Sequence, residues 1–585
     1  MISIILTSLV LAGIFFGLMF TKENIITAIV STVIVAVLIF CVNYLVMPVM
    51  NWGYFGYLWE VVILAILAVA INFFGMDLAY YDEEDGFEKS FRRSLIALGV
   101  STLALILCAI LSSPMCHSEK YASRLGKVEI VKIEDFSKDI KPIPLVKMRS
   151  VDNNLAQKVA EDKLGEDPGL GSRVYVGHMT IQCLTGEFTI NGGNTLKFEN
   201  DLVWVAPLEH SSWVKWAAND YTPGYIIVDA CDPTRRWLVT EVNGQQLKMK
   251  YIESGCFNDD IERHLRFNGY MSAGLHDRNL EISPDGMPLW IITKFEKKIG
   301  FYGEEPIGVI TVDPQNGEIR EYTIAETPEW IDHIQPEDIT LDQVNDWGKY
   351  KGGWWNSWTS EEDVQETTGD VNDLGMTLIY IDGKSYWYTG ISSSGFDNGS
   401  NGFMLVDSRT KEAKLYQIPG MNELEALKIA QDQKFAQDAG YEACMPVLYN
   451  VDDVPTYFMI YKGGSGNIVG YCFLSLQNRN IVGCGTTKAE AEAAYRKSWR
   501  KLEKAADVET DISKKVVYTV RGIVQEEGVY YLLFKEVKGT EFTATSDISP
   551  ELRWTREGDK VEVSYFEGEG AKVALMSFDK KGFEI

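Results

Sequence analysis

Four apolar runs, at roughly residues 2–20, 25–47, 58–76 and 95–113, limit what this chain can become. Each is close to the ~20 residues that carry a helix across a ~30 Å hydrocarbon core. A helix is required there, because without water each backbone amide must find its partner inside the segment. The first run has no basic n-region and no small-residue cleavage site, so it does not read as a secretory signal. Trp52, Tyr54, Tyr57 and Trp59 cluster between the second and third runs, where amphipathic rings suit the headgroup region. The expectation is a four-span, multi-pass anchor over residues 1–114, with the lipid bilayer as its first partner. Glu60 lies near a span end, and Asn43 and Asn72 are neutral, which disfavours an ion pathway or proton relay.

The bases around the spans bear on sidedness. Lys22 lies in the first loop, Lys89, Arg92 and Arg93 in the third, and the second loop has none. The positive-inside rule then puts loops one and three in the cytoplasm and the remaining chain outside. Lys120, Arg124, Lys127 and Lys132 oppose this, but long translocated regions tolerate charge better than short loops do. A cell-membrane protein with an extracytoplasmic C-terminal region is expected.

At 585 residues with a net charge of −27, the chain is too long for one core and strongly acidic. Residues 1–114 hold eight acids and four bases, which leaves 74 acids and 51 bases, or −23, for the rest. Such a body repels phosphate backbones, so no nucleic-acid partner is expected. Of nine cysteines, Cys41 and Cys108 lie in apolar runs; the other seven have no CxxC spacing. That excludes a zinc ribbon and a disulfide framework.

Beyond the anchor, residues 115–150 read as a polar linker broken by Pro142 and Pro144. A helical pattern opens at Asp152, with Leu155, Ala156, Val159, Ala160 and Leu164 on one face. From Val174 onward short alternating strands dominate. The chain then matches itself. Gly224–Asp229, Gly308–Asp313 and Gly402–Asp407 each read glycine, short buried strand, aspartate. After the last two, PQNGEIREYTI and SRTKEAKLYQI supply a turn and a charged return strand, so each unit reads as a β-hairpin. A weaker fourth copy begins at YFMIYK. The Asp-to-Asp intervals, 84 and 94 residues, exceed ordinary solenoid or propeller-blade repeats and suit small α+β modules. Helices are expected at PEWIDHI after Thr327, from about Asp338, over 422–439 and over 487–506.

The fold class expected is therefore membrane α-helical, followed by an α+β, β-rich soluble region. Its divisions are a first module at 151–300, second and third repeats at 301–420, and a helix-flanked module at 421–512. At 513–585, five short strands suit a small OB-like or SH3-like β-barrel. The V-D-x-x-(T/N)-(G/K)-E hairpin with a nearby helix resembles PepSY-type modules, in pieces over 300–510. These are small α+β domains of bacterial envelope proteins, tied to restraining proteases or to membrane-associated regulation; the resemblance implies no catalytic residue. Residues 174–420 also resemble uncharacterised multi-pass bacterial membrane proteins, a likeness that supplies no activity.

Walker A, GxSxG, HExxH, EF-hand and zinc-ribbon patterns are absent, and KGGSGNIVG at 462–470 reads as a hairpin turn. His276-Asp277-Arg278 and His210-Ser211-Ser212 are adjacent in sequence, but neighbours on a strand face opposite ways. Satisfied structural histidines are expected at both. Asp82 to Asp85 reads as a solvated acidic loop: although Gly86 follows, consecutive carboxylates rarely converge on one cation. No catalytic residue, metal ligand or cofactor is assigned.

Two groups stand out. Trp347, Tyr350, Trp354, Trp355 and Trp358, set among glycines, form either a buried satellite core or, if exposed, a contact surface for a partner protein or glycan. Cys472 and Cys484 flank a hairpin whose register decides whether they can bridge: a loop centred on Asn478 sets them opposite, a one-residue slip parts them. The functional expectation is a non-enzymatic, membrane-anchored envelope protein acting on another envelope protein as scaffold, sensor or regulator. An envelope hydrolase or glycan-processing enzyme without a local motif, and a transport accessory subunit, are the alternatives.

Overall fold

The computed structural model describes residues 1–585 except 23–24, 52, 79–80, 369–374, 394–398, 507–513, 527–528, 546–547, 566–571, 576 and 583–585. Four helices open the chain: α1 (Ile2–Met19), α2 (Ile25–Val46), α3 (Phe55–Leu78) and α4 (Tyr81–Ser112). Among the described residues three helical stretches are long and apolar enough to cross a membrane: Ile2–Met19, Ile25–Val46 and Asp85–Ala122. The apolar stretch Trp59–Gly75 inside α3 is shorter. Leu11, Phe15, Met19, Ala28, Val35, Leu64 and Ala68 pack as the bundle's core while most other apolar side chains face outward. Asn72, fully buried on α3, joins the helices: it donates to Ala68 O (2.8 Å) and Ser94 Oγ (3.3 Å) and accepts from Ser90. Such a polar side chain holds apolar helices together where no hydrophobic drive does.

At the other end the bundle is bonded to the β-rich part of the first unit. The Met50 N–H donates to Met271 O (2.9 Å), and Asn51 Nδ2 to Ser272 O (3.3 Å). Ile4, Met47 and Met271 form one apolar cluster with Phe40, Tyr44, Met50 and Phe267 around it. Past Ser112, helix α5 (Pro114–Ala122) starts with a proline in its first turn, where the missing N–H costs nothing. Its Tyr121 hydroxyl donates back to Ser112 O (2.7 Å). The stretch read as a linker carries further elements, the strand Val128–Val131 and the helix Ile133–Asp139.

Two compact units follow from packing: Met1–Ile130 with Asn153–Gly395 and Phe403–Leu415, and Val131–Asp152 with Phe396–Gly402 and Tyr416–Ile585. In the first unit α6 (Asn153–Gly165) buries the five apolar residues expected of it. Strands β1 (Thr180–Ile190), β2 (Asn194–His210), β3 (Tyr225–Asp229) and β4 (Arg236–Val239) run side by side in chain order. So do β5 (Gly274–Ile282), β6 (Pro288–Ile299), β7 (Tyr302–Val312) and β8 (Ile319–Thr323). Helix α7 (Glu337–Tyr350) precedes β9 (Thr377–Ile381), β10 (Lys384–Ser393), β11 (Gly402–Asp407) and β12 (Ala413–Tyr416), again neighbours in order. One core spans the first two sheets, with Phe188, Val205 and Tyr225 packed with Leu280, Trp290 and Ile310.

The three Gly-to-Asp hairpins share one local design. Asp229 Oδ1 accepts from the N–H of Cys231 (2.8 Å), Asp313 Oδ1 from Gln315 (2.8 Å), and Asp407 Oδ1 from Arg409 (2.9 Å). The aspartate's own N–H donates across the turn to Arg235 O, Glu318 O and Glu412 O respectively. A Cβ on the leading glycine would meet the facing strand's carbonyl oxygen at 2.0 Å (Gly224, Val239), 2.4 Å (Gly308, Tyr322) and 2.1 Å (Gly402, Tyr416). Close backbone approach therefore requires glycine at all three.

In the second unit α8 (Glu423–Gln431) precedes β13 (Glu442–Val451), β14 (Val454–Lys462), β15 (Ile468–Ser475) and β16 (Val482–Gly485), with α9 (Lys488–Ala506) following. The glycine-rich run at 462–470 is the β14–β15 turn, as expected. Among the described residues the C-terminal part has six strands, one more than the sequence suggests. They are β17 (Lys514–Glu526), β18 (Val529–Phe534), β19 (Glu541–Thr545), β20 (Lys560–Tyr565), β21 (Lys572–Ala574) and β22 (Ser577–Lys580). Their order is β21-β19-β18-β17-β20-β22. PEWIDHI is not helical: it is a turn followed by irregular chain, and the next helix starts at Glu337. Two prolines bracket it, and the Ile331 and Ile334 side chains are pulled into the core beside Ile291 and Val309.

Candidate functional site

The aromatic group does not form a buried core. Tyr350 and Trp347 end α7 half-buried, Trp354 is half-buried, and Trp355 and Trp358 are 66 % and 68 % exposed. The indoles of Trp354, Trp355 and Trp358 lean on one another, with centroids 4.8, 5.9 and 6.0 Å apart. Lys351 lies 5.1 Å over Trp347, and Tyr350 packs edge-on against Tyr121 at 6.1 Å. Two glycines and two successive turns after α7 leave too little neighbouring chain to cover three indoles.

The histidine motifs bring no triad together. His276 meets Asp338 at 2.6 Å, which with its acidic neighbours holds the imidazole above its ordinary value, while Arg278 turns to Glu253 (2.8 Å). Ser211 donates to Arg173 O, and Ser212 accepts from the Lys215 N–H as a helix cap. His210 corrects the expectation of a satisfied ring. It is buried, both ring nitrogens meet no partner among the described residues, and burial lowers its pKa. The side chains of Asp82, Glu83 and Glu84 lie outside the described residues. Among the described residues no three His, Cys, Asp or Glu side chains converge as a metal site.

Sequence reading missed the main buried ionisable cluster. Glu281 accepts from the N–H of Asp332 (3.1 Å) and His333 (3.2 Å), and from His333 Nδ1 (2.8 Å). Asp332 Oδ2 accepts from the Cys183 N–H (2.6 Å) and the Tyr380 hydroxyl (3.2 Å). Burial and the nearby Glu281 carboxylate push Asp332 up to about 7. Burial would lower His333, but the Glu281 bond and charge outweigh it and raise the imidazole. These groups come from β1, β5, β9 and the segment before α7, and they serve one another. The arrangement fastens strands of three sheets. No local pattern could have revealed it, since its members are spread from residue 183 to residue 380.

Cys472 and Cys484 stand directly opposite in the β15–β16 register, the one centred on Asn478. Their sulfurs are 3.4 Å apart as free thiols, and the Tyr461 hydroxyl touches Cys484 Sγ at 3.3 Å. Cys472 is fully buried, whereas Cys484 is partly exposed on the edge strand.

A concavity of about 1610 Å³ lies in the second unit. Residues 142–148, the face of α9 and strands β17 to β19 line it. Val146, Val524 and Leu533 expose apolar surface along it, and Tyr531 adds a ring. Arg496 on α9, paired with Glu492 (3.0 Å) and Asp452 (3.1 Å), and Arg500 supply fixed charge. Such a lining offers apolar contact and directional charge, and Cys484 adds a thiol whose pKa the bond to Cys472 lowers. No protein-family model matches this chain, and no curated protein matches it.

Proposed function

We propose that this chain is a non-enzymatic, membrane-anchored protein of the bacterial envelope that works by holding a segment of another envelope protein. The second unit's groove carries the reading. At about 1610 Å³ it exceeds the ~300–1,000 Å³ usual for small-molecule sites, and its mixture of exposed aliphatic side chains and paired charges suits a polypeptide. The Glu281, Asp332 and His333 groups are bonded to one another and to neighbouring backbone, which disfavours the enzyme reading there. In this reading α1 to α4 all span the membrane, α3 being tied into the bundle by Asn72. The body lies outside, opposite the bases at Lys22 and, near the start of α4, at Lys89, Arg92 and Arg93. The three Gly-to-Asp hairpins are copies of one module, supported by their shared aspartate turn and close-approach glycine. Strand β17, paired with β18 at one end and β20 at the other, folds the C-terminal strands toward a small barrel.

A photoreactive amino acid at Val524 in native membranes tests the reading. A discrete protein adduct is expected from Val524 and none from Trp554, which is exposed outside the groove. Equal labelling at both positions, or none at Val524, sinks it.

A further inference from the structure

We propose that the first unit stands on the bilayer through two aromatic feet, Trp354-Trp355-Trp358 and Trp213-Val214-Phe257, that enter the lipid interface beside the spans. This rests on the reading of the N-terminal helices as membrane spans.

The first foot is placed by a chain of contacts leading down to the end of α4. The β6–β7 turn rests on that end, where the Phe301 N–H donates to Ser112 Oγ at 3.2 Å. Helix α7 runs along this hairpin toward the turn. Asp338, in its first turn, meets His276, which pairs with Thr293 well up the hairpin. Gln343 reaches Glu305 (3.1 Å), just past the turn, and Asp346 pairs with Arg124, whose Nη2 donates to Glu304 O (2.7 Å). Tyr350, the last helical residue, packs on Tyr121, whose hydroxyl touches Ser112 O. The helix thus descends to the level at which α4 emerges, and the three indoles follow immediately.

The second foot is tied to the end of α2. Arg263 lies 4.9 Å over the Tyr44 ring, and Phe267 packs against it at 6.3 Å. The same Arg263 donates to Phe257 O (3.1 Å), and Phe257 packs against Trp216 at 5.8 Å. Phe257 is 62 % exposed, and Trp213, opening the short helix Trp213–Ala218, is 71 % exposed.

Large aromatic side chains bare to water are costly, and indoles favour the headgroup layer, where the ring is sheltered and the N–H stays wet. Both patches come from distant parts of the chain, and each is connected to a different span end. A lipid surface fits two such patches at one level, whereas a protein partner gives no reason for both to sit there.

The test is photolabelling of the full chain in phosphatidylcholine–phosphatidylglycerol nanodiscs containing a phospholipid with a diazirine near its glycerol backbone. Mass spectrometry should find lipid adducts on peptides from 351–361 and from both 211–218 and 255–258, as well as on the spans. A Trp355→Ser/Trp358→Ser variant should lose the 351–361 adducts and keep those of the spans. Labelled spans with either foot bare overturn the proposal and leave that patch to a protein partner. Bare spans overturn the membrane reading itself, and the feet with it.

Discussion

Glu209 illustrates how much a single buried group can govern. One carboxylate oxygen accepts from the Ser254 N–H at 2.8 Å and from its hydroxyl, while the other is buried without a partner among the described residues. Burial pushes the carboxyl up from 4.5 to about 7. The folded chain then holds this proton more tightly than the unfolded chain does. The stability linked to it is complete below pH 4.5 and is lost as pH rises through about 7. Over that window the loss is on the order of 3 kcal/mol. Melting temperature should therefore fall from pH 5 to pH 8 in the parent protein and fall less in Glu209→Gln; some slope remains because Asp332 titrates in the same direction. Parallel slopes in the two proteins would mean that Glu209 is ionised in the fold. A second residue-scale expectation concerns Cys472 and Cys484. With the sulfurs 3.4 Å apart against ~2.05 Å when bonded, a small side-chain rotation closes the bridge. Diamide should take two hydrogens from this pair, seen as loss of both thiols from alkylation and a cross-linked tryptic peptide. Full alkylation of both after diamide treatment contradicts this. The cysteine register was one of two readable from the hairpin. The Glu209–Ser254 bond was not readable, because nothing local links two positions so far apart.

Among the elements, helices with a one-sided apolar pattern, such as α6 and α9, lie where the pattern puts them. Strands also follow their alternation. PEWIDHI misleads because its spacing of Trp330, Ile331 and Ile334 imitates a helical stripe, while the prolines around it and the core beneath it keep it out of a helix. The hairpins were legible as a sentence of glycine, strand and aspartate; what could not be read was why the glycine is needed. Gly308→Ala and Gly402→Ala would drive a methyl into a facing carbonyl oxygen, at 2.4 Å and 2.1 Å. Each should destabilise by about 1–3 kcal/mol, as overpacking does. Gly464→Ala, with no atom within 4 Å of the new Cβ and no left-handed backbone, should change stability by less than about 0.5 kcal/mol. Urea denaturation of the three variants measures this directly, and equal midpoints for Gly308→Ala and Gly464→Ala would refute the close-approach account.

At the scale of the molecule, hydrophobic run length made the membrane helices readable, since no other element explains such stretches. Reporter fusions at residues 50 and 150 should give the same, extracytoplasmic signal if α1 to α4 all span the bilayer; a cytoplasmic signal at 150 reverses the orientation. The groove of the second unit was not legible, because it is made by surfaces brought together only on folding. The junction at the bundle's upper end carries one more consequence. The loop after α2 is hydrogen-bonded to the backbone at Met271 and Ser272, and the β6–β7 turn rests on Ser112. If the bundle spans a bilayer, these bonds tie the first unit's sheets to it, and the unit's lean follows the bundle's. Spans tilt when a bilayer thins. Every surface on this unit then swings through the same angle, and those farthest from the lipid travel farthest, so membrane thickness is converted into sideways displacement along a stiff mast.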